Sequence, residues 1–416
     1  MKYVIKGGKR LEGEVIISGN KNSVLPCMAA ALLTEEKVVL ENVPEISDVK
    51  TFLRIFDKLG VSFKKEGSSL SIQAEEIKET SLPDDEVVAL RASVLLAGPI
   101  LARKGKVTFH FPGGDVIGRR SIDIHLDGFK ALGISTKNED TKFKLEGSIK
   151  KDCRVFLEEA SVTATENLIL ASVVGENSIE IRNCASEPHV VDLCNLLIAM
   201  GAKIAGVGSD KLNITGVDRL RGTSFKIGCD YIEVATYAIA AFITGGKVKI
   251  KCDLSTDLDP IMVVLNKFGV DLEKMEDGFL VKSGQIHSVP VIKTNLWPGF
   301  PTDLMSAVIV LATQANGVTL CHDWMYESRM FFVDKLISMG ASITIADPHR
   351  VLVNGPSQLR GREVETPDIR AGMALILAAL VAEGETTVNK VELIERGYED
   401  VLGKLKSLGA SITASP

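Results

Sequence analysis

Apolar positions along the 416-residue chain fall into two helical patterns that alternate. One pattern is apolar on every side: stretches 25–33, 92–102, 168–174, 235–244, 304–312 and 371–382 all read this way. A β-rich stretch follows, as in Val38-Val39-Leu40 and Lys106-Val107-Thr108-Phe109. A helix that is apolar all round is a buried one. The other pattern is amphipathic and ends in glycine before an alternating strand. It appears at Leu59-Gly60-Val61, Leu132-Gly133-Ile134, Met200-Gly201-Ala202, Phe268-Gly269-Val270, Met339-Gly340-Ala341 and Leu408-Gly409-Ala410. Each glycine suits the left-handed residue just past a helix end, where a side chain costs energy. Successive glycine numbers differ by 73, 68, 68, 71 and 69, so the chain carries one unit six times.

An open solenoid is one home for six repeats. The intervals exceed those of the common solenoid families, however, and no repeat has a polar cap. The length itself favours two cores over one. The pattern therefore predicts two closed α/β domains of three repeats each. No Pro/Gly/Ser-rich linker marks the boundaries, so repeat phase sets them near residues 20 and 229. That gives domain I as 21–228, with a mobile loop at 112–120, and domain II as 1–20 plus 229–416. The opening stretches 3–5 and 14–18 are expected to pair with the last repeat.

Composition narrows the function classes. Formal charge is −6 with 45% hydrophobic and 25% charged residues, which disfavours broad nucleic-acid or membrane-surface binding. Cys27, Cys153, Cys184, Cys194, Cys229, Cys252 and Cys321 form no Cys-x-x-Cys pair and no zinc-ligand spacing. Reduced thiols in a cytoplasmic protein are expected. The opening residues lack a signal-peptide core, and no apolar run approaches a membrane span. No metal or organic cofactor is expected.

Candidate chemistry gathers at the helix starts. Lys21, Arg91, Arg120, Arg329, Arg370 and Arg396 all stand near them, where a cation opposes the helix dipole. Convergent helix N-termini bind phosphates and carboxylates, and an anion would offset that cost. Taken singly, Asp48, Thr165 and Asp303 read as ordinary N-caps, and a lone arginine reads as solvated or paired. Recurrence of six basic residues at equivalent phases is what favours an anion site. Pro112-Gly113-Gly114-Asp115-Val116-Ile117-Gly118-Arg119-Arg120 reads either as a mobile loop that approaches a ligand or as a tight hairpin turn.

Several motifs in order give a wider resemblance. They are Ile17-Ser18-Gly19-Asn20-Lys21-Asn22, Leu90-Arg91-Ala92-Ser93, the 112–120 loop, Asp123-Ile124-His125, Ser161-Val162-Thr163-Ala164-Thr165 and Glu187-Pro188. Phe300-Pro301-Thr302-Asp303, Glu327-Ser328-Arg329, Asp368-Ile369-Arg370-Ala371 and Glu395-Arg396-Gly397-Tyr398 continue the series. Over essentially its whole length the chain resembles the UDP-N-acetylglucosamine 1-carboxyvinyltransferases. The resemblance implies a two-domain inside-out α/β barrel closing over a cleft. Its substrates would be phosphoenolpyruvate and UDP-N-acetylglucosamine, without nucleic acid, membrane or cofactor. It implies that Lys21, Arg91, Arg120, Arg329, Arg370 and Arg396 surround phosphoenolpyruvate, with Lys21 and Arg396 also catalytic, and that Asn22 contacts substrate. By the same resemblance Asp303 takes the sugar hydroxyl proton, and Asp115 protonates the methylene carbon. Ser121, Ile124, Ser161, Val162, Thr163 and Met325 would line the nucleotide-sugar site.

The chain departs from the family at two positions. Most members carry cysteine where Asp115 stands, and the antibiotic fosfomycin alkylates that thiol. Thr163 replaces a glycine common in the uridine-contacting segment. Two rivals stand beside this reading. The shikimate-pathway enolpyruvyl transferases share fold and reaction, but typically show Gly-Ser-Lys-Ser where this chain has Gly19-Asn20-Lys21-Asn22. A non-catalytic nucleotide-sugar-binding paralogue would have no need for Asp303.

Overall fold

The computed structural model describes residues 1–114, 117–118, 120–252 and 258–416. Two compact units divide them. The inserted unit comprises 19–114 and 120–228, and the terminal unit comprises 1–18 and 229–416 with Ile117 and Gly118.

Each unit holds three sheets, one per repeat. Within a repeat the chain runs strand, buried helix, strand, amphipathic helix and a closing hairpin. In the last repeat of the inserted unit, Asp152–Phe156 leads to the buried helix Val162–Ser172 and then to strand Ser178–Arg182, which pairs parallel with the first strand. The helix Pro188–Ala199 follows, and the hairpin Lys203–Ala205 with Lys211–Thr215 adds on the other side. A parallel pair needs a long crossover, and the buried helix supplies it. Lys106–His110 starts the inserted unit's three-stranded sheet, where a single parallel bridge, Ser81 to Thr108, stands in for the fourth strand.

All six buried helices form. Tyr231–Ile243 is buried from Tyr231 to Phe242, and Ile369–Val381 from Ile369 to Leu380. Two separate cores result, one per unit, with Tyr237 and Phe268 in one and Phe52, Phe56, Phe109 and Phe129 in the other. The six glycines past the amphipathic helices all have positive φ, from 77° at Gly60 to 105° at Gly201. At Gly60 the next amide, of Val61, reaches back to the Phe56 carbonyl at 2.9 Å. The same closure recurs from Ile134 to Phe129, Ala202 to Leu197, Val270 to Leu265, Ala341 to Leu336 and Ala410 to Leu405. This is the hydrogen-bond pattern of a Schellman cap, repeated once per sequence unit.

The N-terminal strands do not behave as one. Lys2–Lys6 lies between Glu385–Asn389 and Ser411–Ser415 of the last repeat, antiparallel to both. Glu12–Ile16 pairs parallel with Lys247–Lys251 of the fourth repeat, not with the last as expected. The reason is topological. The last repeat lacks its own third strand, which Lys2–Lys6 provides, while the fourth lacks a leading strand because the inserted unit interrupts the chain there.

One buried ion pair fastens this junction. Glu233, in the first turn of Tyr231–Ile243, accepts from Lys404 Nζ at 2.5 Å and from the Ser18 amide at 3.0 Å. Lys404 also reaches Ser18 Oγ at 2.6 Å. Removing one partner of such a pair strands a buried charge. Lys404→Met should destabilise the protein by about 3 kcal/mol in urea unfolding. Glu233→Gln combined with Lys404→Met should recover much of that loss, and simple additivity of the two single changes would contradict the coupling.

Candidate active site

In the terminal unit two of the expected residues, Arg329 and Arg370, converge on a third, Asp303. Asp303 lies in the 3₁₀ turn Thr302–Leu304 that leads into the buried helix Met305–Thr313. It caps nothing. Its Oδ1 accepts from Arg329 Nη2 at 3.3 Å, and its Oδ2 accepts from Arg370 Nε at 3.0 Å and ion-pairs with Nη2 at 2.9 Å. Both guanidiniums are almost fully buried, at 2% and 6% exposure, while Asp303 keeps 28%. Among the described residues, Arg329 Nε and Arg370 Nη1 are buried donors with no acceptor. Burial opposes the Arg370 charge, but Asp303, Tyr398 and Asp230 outweigh it and hold its titration above the ordinary range.

Each arginine is positioned by its surroundings. Arg370 is the second residue of Ile369–Val381, whose cap Asp368 accepts from the Arg370 and Ala371 amides at 2.8 and 3.0 Å. Its guanidinium lies 5.2 Å from the Tyr398 ring, and the Tyr398 hydroxyl is 3.2 Å from Thr236 Oγ1. Arg329 packs over the Tyr326 ring at 5.5 Å. Cations can stack favourably on such ring faces. Two placements differ from expectation. Arg329 lies ahead of the helix Val333–Ser338, and Arg396 ends the 3₁₀ helix Val391–Arg396 instead of opening a helix.

Sequence reasoning missed Asp323. It is fully buried, and its carboxylate accepts from Thr302 Oγ1 and from the Met325 amide at 3.0 Å. Its carbonyl meets His349 Nδ1 at 2.7 Å. Asp323 thus fixes both the Thr302–Asp303 turn and Met325, and nothing near it in the sequence announces that long-range role.

The inserted unit carries the other candidates. Lys21 is the first residue of helix Lys21–Ala30, and its Nζ lies 2.7 Å from Asp48 Oδ2 in a pair with 13% and 4% exposure. Asp48 is therefore an internal counter-ion, and Ile46 occupies the cap position of Ser47–Leu59. Asn20 caps Lys21–Ala30, accepting from the Asn22 amide at 2.8 Å. Arg91 donates through Nη2 to the Ser121 carbonyl at 2.9 Å and through Nη1 to the Pro112 carbonyl at 3.4 Å. The glycines of the loop permit tight approach. A Cβ on Gly113 would sit 1.7 Å from the Val88 carbonyl oxygen, and one on Gly114 2.8 Å from Arg120 Nη2. Asp115 lies outside the described residues.

Ser121 Oγ pairs with Asp123 at 2.5 Å, and Ile124 packs against the core edge. Ser161, not Thr165, caps Val162–Ser172, accepting from the Ala164 amide at 3.4 Å. Val162 also packs against the core edge. Thr165 instead accepts from the Ala185 amide at 3.0 Å. Thr163 Oγ1 lies 3.1 Å from His125 Nε2. Burial and then the nearby Arg91 charge push His125 down to about 3, so the ring is neutral at physiological pH. Among the described residues no cluster of His, Cys, Asp or Glu is arranged to hold a metal, and no helix is long and apolar enough to cross a membrane.

Comparison with known proteins decides the family. The UDP-N-acetylglucosamine 1-carboxyvinyltransferase of Borrelia garinii subsp. bavariensis is 46% identical over 418 residues, covering 99% of this chain and 98% of that protein. The protein of the same name from Treponema pallidum is 45% identical, again covering 99% and 98%. The chain belongs to this family. A model of the broader family, EPSP synthase (3-phosphoshikimate 1-carboxyvinyltransferase), matches residues 5–405. Among solved structures, the enolpyruvyl transferase NikO from Streptomyces tendae superposes with a TM-score of 0.89 at 24% identity, covering 100% of this chain and 99% of that one. EPSP synthase from Acinetobacter baumannii gives 0.76 at 17%, covering both chains fully. These two likenesses establish the enolpyruvyl transferase fold: two domains, inside-out α/β.

Two carboxyls in the inserted unit, Glu166 buried and Glu187 partly buried, give a pH signature. Burial pushes Glu187 up to about 6, and burial, then Glu187, raises Glu166 further. Among the described residues, Glu187 Oε2 and Glu166 Oε1 both lack hydrogen-bond partners. Below an ordinary carboxyl pKa of roughly 4.5 both folded and unfolded chains hold the Glu187 proton. As pH rises to about 6 the unfolded chain ionises first, so stability falls, by roughly 2 kcal/mol for such a shift. Glu187→Gln should remove that fall: relative to the natural protein, its stability should rise by about 2 kcal/mol between pH 4.5 and 6. Parallel stability–pH curves from chemical denaturation would contradict the assignment.

Proposed function

We propose that this chain transfers the enolpyruvyl group of phosphoenolpyruvate to the 3-hydroxyl of UDP-N-acetylglucosamine, releasing phosphate, as the first committed step of peptidoglycan precursor synthesis. The observation that carries the mechanism is Asp303 held between two buried guanidiniums that retain unpaired N–H groups. A carboxylate so placed can take the proton as the sugar oxygen attacks C2 of phosphoenolpyruvate. Arg329 and Arg370 have donors to spare for the substrate's carboxylate or phosphate oxygens, and charge-assisted bonds of this kind are strong. Lys21, Arg91, Arg120 and Arg396 are assigned to the same anion, and Asn22 is assigned as a substrate contact. Ser121, Ile124, Ser161, Val162, Thr163 and Met325 are assigned to the nucleotide sugar.

Asp115 is assigned as the acid that protonates C3, giving a tetrahedral ketal. Loss of the C3 proton then re-forms the double bond as the C2–O bond to phosphate breaks. The functional domains are 21–228, carrying loop 112–120, and 1–20 with 229–416. A cytoplasmic setting suits seven cysteines without a disulfide.

Mixing both substrates should release phosphate, whereas shikimate 3-phosphate in place of the nucleotide sugar should release none. Asp303→Ala should cut turnover by about 10²–10⁴-fold, with UDP-N-acetylglucosamine still bound in calorimetry. Unchanged turnover would reduce Asp303 to a counter-ion for two arginines.

The aspartate at 115 has a second consequence. A carboxylate attacks epoxides poorly, whereas a thiolate is a strong nucleophile. The natural protein should therefore survive incubation with fosfomycin and nucleotide sugar. Asp115→Cys should stay active and become sensitive. Time-dependent loss of activity with a drug-sized adduct on the natural protein, seen by intact mass, would overturn this reading.

A further inference from the structure

We infer that His125 and Asn167 fix the direction of the Thr163 hydroxyl, so that Thr163 serves as a hydrogen-bond donor to an oxygen of the uridine diphosphate moiety. The inference rests on the assignment of Ser161, Val162 and Thr163 to the nucleotide sugar. Its new content is the role of this threonine and of the two buried residues that orient it.

The hydrogen-bond directions follow one from another. Asn167 Oδ1 accepts from the Gly98 amide at 2.8 Å, which identifies the oxygen of the side-chain amide. A Cβ on Gly98 would come within 2.9 Å of that oxygen, so glycine is what allows the approach. Asn167 Nδ2 must then be the donor. One of its protons goes to the Val94 carbonyl at 2.7 Å and the other faces His125 Nδ1 at 3.1 Å. An N–H facing Nδ1 requires Nδ1 to accept, so the imidazole proton sits on Nε2. Nε2 is 3.1 Å from Thr163 Oγ1 and donates to it. Thr163 Oγ1 is thereby an acceptor toward the protein, and its own proton remains to be donated. Among the described residues no hydrogen-bond acceptor for that proton is present.

Burial makes this arrangement rigid. His125 and Asn167 are 1% and 0% exposed, whereas Thr163 is half-buried in the first turn of its helix. Thr163 and Asn167 are four residues apart on one helix and so share the face that brackets the imidazole. A protonated ring would set N–H against N–H at Nδ1, and burial beside Arg91 already disfavours that state. His125 and Asn167 are positioning residues, since they act only through Thr163.

Calorimetric titration of the full chain with UDP and with UDP-N-acetylglucosamine tests the proposal. Thr163→Val removes the hydroxyl at constant shape and should weaken both ligands about tenfold, the scale of one good hydrogen bond. Thr163→Ser should recover most of that loss. Asn167→Asp presents only acceptors to the ring, draws the imidazole proton to Nδ1 and turns the Thr163 proton toward Nε2. It should therefore reproduce the loss while adding little in the Thr163→Val background, and ¹⁵N shifts of His125 should move from the Nε2–H to the Nδ1–H tautomer. Equal affinities for Thr163→Val and the natural protein would overturn the proposal. So would serine as weak as valine, a loss confined to UDP-N-acetylglucosamine, or an Asn167→Asp penalty undiminished beside Thr163→Val. Should Asn167→Asp fail to fold, the valine–serine comparison still decides the role of Thr163. Phosphate release by the natural protein is a separate readout: its absence with the UDP pattern intact would sink the proposed reaction and leave this inference standing.

Discussion

Six helices without a polar side must be surrounded completely, and that requirement shapes both units. A helix such as Tyr231–Ile243 or Ile369–Val381 has no face to give to water. Every neighbouring strand and amphipathic helix is therefore spent on covering it, which is why three sheets enclose each core. The closing strands must come from wherever the chain can supply them. The terminal unit draws Lys2–Lys6 and Glu12–Ile16 from the far end of the sequence for that purpose.

A helix buried along its length leaves polar groups only at its ends, so chemistry concentrates there. Cations at those ends work against the dipole. Here they are held by carboxylates from elsewhere in the same unit: Lys21 by Asp48, and Arg370 by Asp303, which also holds Arg329. Such pairs contribute little net stability because desolvation offsets attraction. Their value lies in position, since a paired arginine is held in one orientation before any ligand arrives.

The repeats, the six buried helices and the glycine caps were legible because each is written locally, within a few turns of chain. The split of the N-terminal strands was not, since Glu12–Ile16 is recruited by a missing neighbour more than two hundred residues away. Among the candidate site residues, the basic set stands out by phase. Their partners do not, because Asp48 and Asp303 looked like caps until the structure placed guanidinium or ammonium groups against them. Asp323 and Asn167 left no local trace at all. Each is defined by hydrogen bonds to segments distant in sequence, and a lone Asp or Asn carries no record of them.

Among the described residues, the charged side chains with an unsatisfied buried atom divide by chemistry. Arg329 Nε and Arg370 Nη1 are surplus donors on groups that cannot lose their charge at ordinary pH. Only an incoming acceptor relieves them, and an anion does so best. Glu166 Oε1 and Glu187 Oε2 are surplus acceptors on carboxyls that burial has already raised. Taking up a proton relieves them without any ligand, because a neutral carboxyl is cheaper to bury than an ionised one. The same deficit of one hydrogen bond thus calls for an outside partner when the atom is a permanent donor. When the atom belongs to a group that can change its own charge, it marks a titrating group.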